Sequence, residues 1–320
     1  MSKVKVLICG ATGFVGRNLL ERLAGRADLD VTGTYFGTAA ADLPAGRLQR
    51  VDLTNKEQVE AAVRGMDVII QAAAVTSGSR DIVTRPYIHV TDNAVMNSLI
   101  FRAAFHQKVK HVVFFSCTTM YSPQPAPVKE EDFNGEIIDK YFGVGWTKVY
   151  IEKLCEFYAR LGPTRYTAIR HSNIYGPYDK FDLDRSHVFG ATMTKVMTNT
   201  DGTLTVWGDG KETRDLLYVS DLVDFVETIL KEQADPYELI NLGCGASLPI
   251  GELVQKIIAH SGKKIAIRYD TSKPSIPFNI TLDIGKARRK YRWQPKVSLE
   301  EGIEKTLAWY RREFAGRTPG

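Results

Sequence analysis

The sequence predicts an α/β protein: a doubly wound parallel sheet followed by a smaller C-terminal α/β domain. Short apolar runs alternate with helical segments from residue 3 onward, which is typical of sheets assembled from β-α-β units. A glycine-rich segment separates the first strand from the first helix. The alternation becomes less regular after residue 170, where turn-rich segments interrupt it, and this change indicates a second domain.

The first half of the chain alternates between buried strands and helices. The apolar, β-branched run at 3–9 is typical of a strand that is buried on both faces. Leu19, Leu20 and Leu23 then recur at helical spacing, and Gly25 ends the helix. The further predicted strands are 30–35, a third that ends with 50–53, 68–71 and 111–116, and the further predicted helices are 56–64 and 86–107.

The second half predicts helices joined by longer irregular segments. Ser220 is a candidate N-cap, because its hydroxyl can accept a hydrogen bond from a first-turn amide. Segment 171–186 is expected to be a loop, and 201–214 an irregular loop or hairpin. The predicted helices are 148–160, 188–197, 220–231, 248–260 and 299–314, and the predicted strands are 166–170 and 238–242. We expect a first domain at 1–170, to which 215–245 returns, and a second domain at 171–320.

Composition excludes several classes of protein. The 320 residues are 44% hydrophobic and 25% charged, unlike a coiled coil, a disulfide-stapled miniprotein or a disordered tail. The net charge of +5 is spread along the chain, which favours a small anionic ligand over a nucleic-acid groove. Cys9, Cys117, Cys155 and Cys244 are widely spaced, which predicts free thiols in a reducing cytoplasm and no metal site. We expect neither a membrane span nor a signal peptide.

Gly10, Gly13 and Gly16 predict a dinucleotide-binding turn. The first glycine permits a tight turn, the second lets the backbone approach a pyrophosphate, and the third lets helix and strand pack closely. No acidic residue follows the second strand, where Tyr35 and Phe36 stand. A 2′-phosphate would therefore meet no negative charge there, which favours NADP over NAD and leaves both open.

At this point the chain resembles the extended short-chain dehydrogenase/reductase family, the NAD-dependent epimerases and dehydratases. The resemblance rests on GATGFVG at 10–16, RxxNxYGP at 170–177 and WGxGxxxRDxxYVxD at 207–221, in the family's order. It implies a Rossmann domain that binds NAD(P) and a nucleotide-diphosphate sugar as substrate. The residues that it assigns to the cofactor are Gly10, Thr12, Gly13, Phe14, Val15, Gly16, Tyr35, Asp52, Leu53, Ala72, Ala73, Ala74, Asn93, Lys148 and Asn173.

Within the family, the chain looks most similar to the branch of GDP-fucose synthase-like enzymes. The matching segments are NIYGPYDxF at 173–181, SHV at 186–188 and YDxSKP at 269–274. This likeness implies a GDP-linked sugar, and it implies that His187 acts as an acid in epimerisation. The residues that it assigns to the substrate are Asn173, Val188, Lys195, Trp207, Arg214 and Lys273.

The catalytic motif departs from the family's pattern. The family pairs a tyrosine with a lysine four residues later, so that both share one helix face; Lys148 is present here, but Val144 replaces the tyrosine. A valine cannot transfer a proton. Either Tyr141 takes over, which requires a non-helical stretch at 143–145, or another group or another reaction replaces the tyrosine.

The Ser/Thr position of the family departs as well. Cys117 stands there, and Thr118 or Ser116 could substitute for its weak thiol donor. Thr119 stands where the branch has an epimerisation cysteine. The candidate catalytic residues are therefore Lys148, Tyr141, Cys117, Thr118, Thr119 and His187.

Together, the residues and the resemblance predict a cytoplasmic, NAD(P)-dependent nucleotide-sugar epimerase or 4-keto reductase that transfers hydride at C4 of the sugar. The alternatives are a redox-silent 3,5-epimerase and a nucleotide-binding sensor that has lost the catalytic tyrosine. The resemblance also implies a homodimer formed through the 86–107 and 148–160 helices. No nucleic acid, membrane or metal is expected as a partner.

Overall fold

A parallel sheet with helices on both faces lies at the centre of the structure. The computed structural model describes residues 2–37, 43, 47–76, 84–183, 186–272 and 279–314. The strands are β1 (Val4–Cys9), β2 (Leu29–Tyr35), β3 (Leu48–Arg50), β4 (Val68–Gln71), β5 (His111–Phe115), β6 (Arg165–His171), β7 (Asn173–Tyr175), β8 (Thr203–Trp207), β9 (Thr213–Tyr218), β10 (Tyr237–Leu242), β11 (Ser247–Pro249) and β12 (Ala266–Asp270). The helices are α1 (Phe14–Ala24), α2 (Lys56–Val63), α3 (Thr91–His106), α4 (Phe142–Ala159), α5 (Val188–Met197), α6 (Val219–Glu232), α7 (Ile250–Ser261), α8 (Gly285–Tyr291) and α9 (Leu299–Glu313).

The large sheet has the strand order β3-β2-β1-β4-β5-β6-β10, and its strand pairs are parallel. Helices α1 and α6 bury their apolar side chains on one face, and α2, α3 and α4 bury theirs on the other. The predicted doubly wound sheet is confirmed. The chain runs outward from β1 to β2 and β3 and then crosses back to β4 on the other side of β1. The carboxyl ends of the strands that flank such a switch point form the ligand-binding crevice of these folds.

The C-terminal part of the chain builds a second, smaller core. Strands β7, β9 and β11 form a three-stranded sheet, and β8 pairs with β12. Helices α5, α7 and α9 pack their apolar residues around these strands. Meanwhile β10 joins the large sheet beside β6, and α6 packs near α1, where Arg22 forms an ion pair with Glu227 at 3.0 Å. The chain therefore crosses between the two cores several times.

Three predictions for the second half are wrong, each because a distant segment decides the local structure. The predicted loop at 171–186 contains β7, which pairs in parallel with β9. The segment 201–214 contains no hairpin, because β8 and β9 belong to different sheets with partners far away in sequence. Ser220 lies inside α6 rather than at its N-cap, since β9 leads directly into the helix through Tyr218.

Two predicted boundaries in the first half also differ. The third strand ends at Arg50 instead of Leu53, because its register pairs 48–50 with the last residues of β2. The predicted helix at 86–107 divides into a 3₁₀ turn at Pro86–His89 and α3.

Helix α4 begins at Phe142, six residues before the predicted start, although it contains two glycines. Packing explains the glycines, which are otherwise poor helix formers. A Cβ on Gly145 would lie 2.9 Å from Cγ2 of Ile137 and 3.3 Å from the carbonyl oxygen of Thr119. The glycine thus lets the first turns of α4 approach the segment that follows β5, where the predicted catalytic residues lie.

The described residues contain neither a membrane-spanning helix nor a cluster of metal-ligating side chains. No helix found there is long and apolar enough to cross a bilayer. No cluster of three or more His, Cys, Asp or Glu side chains found there could hold a metal ion.

Candidate active site

The glycine turn between β1 and α1 has the tight geometry that its sequence predicts. Gly10 has a φ of +73°, which favours glycine, and a Cβ on it would lie 2.7 Å from Cα of Ala73. A Cβ on Gly16 would lie 2.1 Å from the carbonyl oxygen of Gly10. The turn is closed by a hydrogen bond from the amide of Gly13 to Gly10 O at 3.0 Å. The first and third glycines are therefore required by close backbone contacts.

The start of α1 suits a bound pyrophosphate. Gly13 is the N-cap residue and provides no side-chain cap, and the first turn contains no acidic side chain. Amide groups at such a helix end attract phosphate oxygens. Thr12 belongs to the turn, and Phe14 and Val15 are half-buried in the first turn of α1. These residues fit the pyrophosphate of a dinucleotide cofactor.

Asn93 of α3 holds the segment that follows β4 through hydrogen bonds to Val75. The amide of Val75 donates to Oδ1 of Asn93 at 3.0 Å, and Nδ2 of Asn93 donates to Val75 O at 2.9 Å. A third bond links this Nδ2 to His89 O. Asn93 thus positions the neighbouring Ala72, Ala73 and Ala74 at the carboxyl edge of the sheet, rather than offering its own amide to the cofactor.

Asp52 and Leu53 follow β3, at the outer end of the crevice. The hydroxyl and the amide of Thr54 both donate to Oδ1 of Asp52, at 2.6 and 2.9 Å. These bonds, led by the one from the hydroxyl, lower the pKa of Asp52. Leu53 is buried in the core under α2. The turn is held rigid where the predicted adenine position lies.

Arg50 lies beside the end of β2, a contact that the sequence pattern did not reveal. Its register partner is Tyr35, its Nε donates to Phe36 O at 3.2 Å, and its guanidinium lies 6.0 Å from the centre of the Phe36 ring. A cation therefore flanks the strand end that lacks an acid. The pairing of β2 with β3 is the signal that could have identified it.

Arg17, in the first helix, is held by other groups. Its Nε lies 2.7 Å from Oε1 of Glu21, and its guanidinium stacks 4.8 Å from the ring of Tyr178. Tyr178 donates to the same carboxylate at 2.8 Å, and Nδ2 of Asn18 donates to Pro177 O at 3.0 Å. These contacts dock the loop after β7 onto α1, so that the two cores meet above the glycine turn.

Lys148 points to the carboxyl end of β5. Its Nζ donates to Phe115 O at 2.8 Å and lies 4.8 Å from the centre of the Phe114 ring. Burial lowers the pKa of Lys148, and its interactions with Cys117 and Glu152 oppose that shift. The ammonium group is therefore fixed at the carboxyl end of β5, and Lys148 is the residue for which the resemblance predicts a contact with the cofactor ribose.

A buried ion pair fixes the helix that carries Lys148. Glu152, one turn later, accepts two hydrogen bonds from Arg170 of β6, at 3.0 and 2.7 Å, and both side chains are 3% exposed. Ser116 Oγ donates to the same carboxylate at 2.5 Å. Ser116 is thus committed to this network and does not replace Cys117 as a donor to a ligand.

The segment after β5 contains the thiol and hydroxyls predicted for catalysis. Sγ of Cys117 lies 2.9 Å from Oγ1 of Thr119, and both residues are half-buried. Thr118 is half-buried beside them and accepts a turn hydrogen bond from Tyr121. Val144 and Cys117 both pack at the edge of the core that α1 and α6 share. The structure therefore places an aliphatic side chain where the family has its phenol.

Tyr141 does not move into that position. It is buried in a 3₁₀ turn immediately before α4, and α4 is regular through the stretch 143–145, which would have to be non-helical for Tyr141 to take over. Burial raises the pKa of its phenol; Arg214 opposes this shift and Cys117 adds to it. The irregular stretch that this alternative requires is therefore absent.

His171 ends β6 and was not singled out from the sequence. Its Nδ1 lies 2.7 Å from Ser172 O, and its ring meets that of Phe115 edge-on with centroids 6.3 Å apart. Burial lowers the pKa of His171 to about 4; the bond to Ser172 opposes this shift, and the charges of Lys148 and His187 add to it. The strand order, which places β6 beside β5, is what brings this ring near Lys148.

Positive charge collects on the substrate side of the crevice. His187 precedes α5 as its N-cap residue. The residue is exposed, yet the protein around its ring lowers its pKa, and the charges of Lys180 and Arg214 contribute in the same direction. Lys180 Nζ donates to Thr76 O at 2.9 Å, across from the cofactor core. Lys180 and Arg214 form a cationic wall that suits a diphosphate, and the ring of His187, with its lowered pKa, is the neutral group beside them.

Arg214 and Lys195 are half-buried in this wall. Arg214 Nη1 donates to Thr213 O at 2.8 Å, and burial lowers the pKa of its guanidinium. Lys195, in the last turn of α5, places its Nζ 5.9 Å from the centre of the Trp207 ring. Trp207 is 54% exposed at the end of β8. The arrangement offers an aromatic surface beside two cations.

The remaining predicted residues lie at different depths. Asn173 of β7 donates its Nδ2 to Asp215 O at 3.2 Å, which ties it to β9. Val188 is half-buried and is the first residue of α5. Lys273 lies outside the described residues. The neighbouring Tyr269 has its ring against Gly210, where a Cβ would approach to 2.4 Å.

The chain matches known proteins along almost its whole length. A family model described as NAD dependent epimerase/dehydratase family matches residues 6–243. The GDP-L-fucose synthase of Azorhizobium caulinodans is 31% identical, with 96% of each chain covered. The GDP-L-fucose synthase of Sinorhizobium fredii is 30% identical, with 94% of each covered. The GDP-L-colitose synthase of Yersinia pseudotuberculosis is 27% identical, with 97% of this chain and 99% of the relative covered.

Solved structures share the fold at lower identity. The UDP-glucose 4-epimerase of Thermotoga maritima has a TM-score of 0.84 and 22% identity, covering 97% of this chain and 99% of its own. A GDP-6-OMe-4-keto-L-xylo-heptose reductase from C. jejuni has a TM-score of 0.83 and 20% identity, covering 98% and 99%. The predicted fold class, family and type of enzyme are confirmed by these matches. The chain belongs to the NAD dependent epimerase/dehydratase family.

Proposed function

We propose that this protein is an NAD(P)-dependent nucleotide-sugar enzyme that transfers hydride at C4 of the sugar, as a 4-keto reductase or as an epimerase. One observation carries the proposal: the ammonium of Lys148 is fixed at the carboxyl end of β5, in the same parallel sheet whose β1 leads into the glycine turn, and Arg214 supplies a half-buried cation at β9 of the smaller core. The lysine suits a nicotinamide ribose and the arginine a sugar diphosphate. GDP-L-fucose and GDP-L-colitose synthases as relatives support the same class.

The residues around the glycine turn would hold the cofactor, whose chemistry is hydride exchange with the sugar. The first turn of α1 binds the pyrophosphate through backbone amides, and Lys148 orients the ribose. Asp52 and Leu53 border the adenine. We favour NADP over NAD because Arg50 lies beside the acid-free end of β2 and would pair with a 2′-phosphate.

The sugar nucleotide would lie along the cationic wall. Arg214 and Lys195 are placed to pair with its phosphates, and the exposed face of Trp207 is suited to stacking on a base. We propose a GDP-linked sugar, which several relatives named as GDP-sugar enzymes support. Tyr141, Cys117 and Thr118 would line the sugar near C4.

A redox-silent 3,5-epimerase is the second candidate. The observation in its favour is that the pKa of His187 is lowered, chiefly by burial of its ring and further by Lys180 and Arg214, so that a neutral imidazole can abstract a proton beside a carbonyl. Thr119, hydrogen-bonded to Cys117, stands where the branch has a second epimerisation group.

One experiment separates the candidates. The purified protein is incubated with a GDP-4-keto-6-deoxy sugar and NADPH, and absorbance at 340 nm and deuterium uptake from solvent are followed. Loss of absorbance supports the reductase, and deuterium uptake without that loss supports the epimerase. Neither event, together with tight cofactor binding, contradicts both and favours a sensor.

We also propose a cytoplasmic homodimer. Its four cysteines are free thiols, as is usual in a reducing compartment. The outer faces of α3 and α4 expose Val95, Trp146, Tyr150 and Phe157, the last being 52% exposed. Such neighbouring apolar side chains mark an interaction surface. Analytical ultracentrifugation tests this proposal: Trp146→Lys should shift a dimer toward the monomer, and a wild-type monomer would contradict it.

A further inference from the structure

His171 has one ring nitrogen committed and the other available. Since Ser172 O can only accept, Nδ1 carries the proton of their 2.7 Å hydrogen bond. In the neutral ring, Nε2 is therefore an unprotonated acceptor with a fixed direction. Among the hydrogen bonds of the described residues, none engages this Nε2. The tautomer is set by the protein, as in histidines that accept protons during catalysis.

The ring lies at the carboxyl edge of the large sheet, where β6 ends beside β5. It contacts Phe115, whose carbonyl oxygen holds Nζ of Lys148. Burial lowers the pKa of the ring to about 4, and Lys148, from α4, and His187, from the start of α5, act in the same direction. The ring is therefore a neutral base near pH 7, next to the strand end that holds Lys148.

Tyr141 is less well placed for the same task. Its phenol interacts with Arg214 and Cys117, whereas the groups acting on Lys148 are Cys117 and Glu152. Because α4 is regular from its first residue, Tyr141 stays about one turn before position 144, where Val144 replaces the family's tyrosine. The ring of His171, by contrast, contacts Phe115, whose carbonyl oxygen binds Lys148.

We propose that His171 replaces the missing tyrosine as the catalytic acid and base at C4 of the sugar, a role that rests on the proposed function. In oxidation, the C4–H bond breaks and its electron pair leaves as hydride to the nicotinamide. The O–H bond breaks at the same time: its electrons form the C4=O bond, and its proton passes to Nε2. In reduction, hydride attacks C4 and Nε2–H returns the proton to the oxygen, so that atoms and electrons balance in both directions.

The test variant is His171→Asn, because an asparagine amide can still donate to Ser172 O but has no counterpart of Nε2. Turnover of a GDP-4-keto-6-deoxy sugar is followed at 340 nm with NADPH. General acid and base groups contribute about 10²–10⁴-fold, and we expect kcat to fall by that factor. The Kd for NADPH should stay within about threefold, which also reports that the variant is folded. His260→Asn, on the outside of α7, is the matched control.

A pH profile distinguishes catalysis from packing. Only the protonated ring can donate, so wild-type kcat for reduction should fall about tenfold per pH unit above the ring's pKa. That slope should disappear in His171→Asn, and added imidazole should restore part of the rate. Full kcat with an unchanged pH profile in His171→Asn would overturn the inference alone. A wild-type protein that turns over no nucleotide sugar would overturn both the inference and the proposed function.

A second measurement does not depend on the variant. In ¹⁵N-histidine-labelled wild type, GDP-mannose added without cofactor should shift the Nε2 resonance of His171 and leave that of His260 unchanged. If Tyr141→Phe instead abolishes turnover while the His171 resonance does not move, the phenol is the proton donor and the inference is wrong.

Discussion

The substitution Glu152→Gln tests how strongly the buried ion pair holds α4 against β6. The change keeps the shape of the side chain but removes the charge that balances Arg170, whose side chain is 3% exposed. Arg170 then loses one of its two strong acceptors, and Ser116 loses a charged acceptor at 2.5 Å. Breaking a buried pair in this way costs about 3–5 kcal/mol of the free energy of unfolding.

This cost converts into a measurable shift. An unfolding entropy of about 2.1 cal/mol/K per residue gives roughly 0.7 kcal/mol/K for this chain, so Tm should fall by about 4–8 °C. Calorimetry and urea unfolding would measure it. The matched control is Glu156→Gln, one turn later on α4, where the carboxylate is 24% exposed and pairs with Lys153 and Arg160. Exposed pairs contribute about 0–1 kcal/mol, so that variant should lose at most about 1–2 °C. Equal losses in the two variants would refute the argument that burial makes the pair strong.

Three further predictions follow. Lys148→Ala should weaken NADPH binding and abolish turnover, because the ammonium that bonds Phe115 O and would hold the ribose is lost; full activity by the 340 nm assay would refute the site assignment. Arg50→Ala should raise the Kd for NADPH about tenfold and leave that for NADH nearly unchanged, as judged by fluorescence titration; equal effects on both would contradict its pairing with the 2′-phosphate. Burial lowers the pKa of His111 from 6.5 to about 4, so the unfolded chain binds more protons between these pH values, and stability falls as the pH drops through that window. In urea titrations, His111→Gln should therefore reduce the pH slope of the unfolding free energy by about 1.4 kcal/mol per pH unit, and an unchanged slope would disprove the linkage.

Local rules explain what could be predicted. The strand at Val68–Gln71 and the helix at Val188–Met197 match their predicted bounds, because apolar runs and helical periodicity are properties of neighbouring residues. The glycine turn was predictable for the same reason. Gly10 needs a positive φ, and Gly16 must admit the carbonyl of Gly10, within a span of seven residues.

Long-range pairing explains what could not be predicted. The segment 201–214 looked like one loop because its own residues favour turns, yet β8 and β9 take their partners from distant segments. The predicted helix began only at 148, after Gly143 and Gly145, but both glycines lie within α4, which packs too closely on Val90 and Ile137 for side chains there. In both cases tertiary contacts outweigh local propensity.

The sequence by itself determined the family, the doubly wound sheet, the dinucleotide turn and the absence of a tyrosine at position 144, since each is written in short motifs and local patterns. Only the tertiary structure decided which side chains meet at the site. Strand order brought Arg50 beside Phe36 and His171 beside Phe115. The regular start of α4 left Tyr141 in the preceding 3₁₀ turn, where Arg214 acts on the pKa of its phenol. The physical reason is that chemistry depends on distances between groups far apart in the chain, and those distances are set by how strands pair and helices pack.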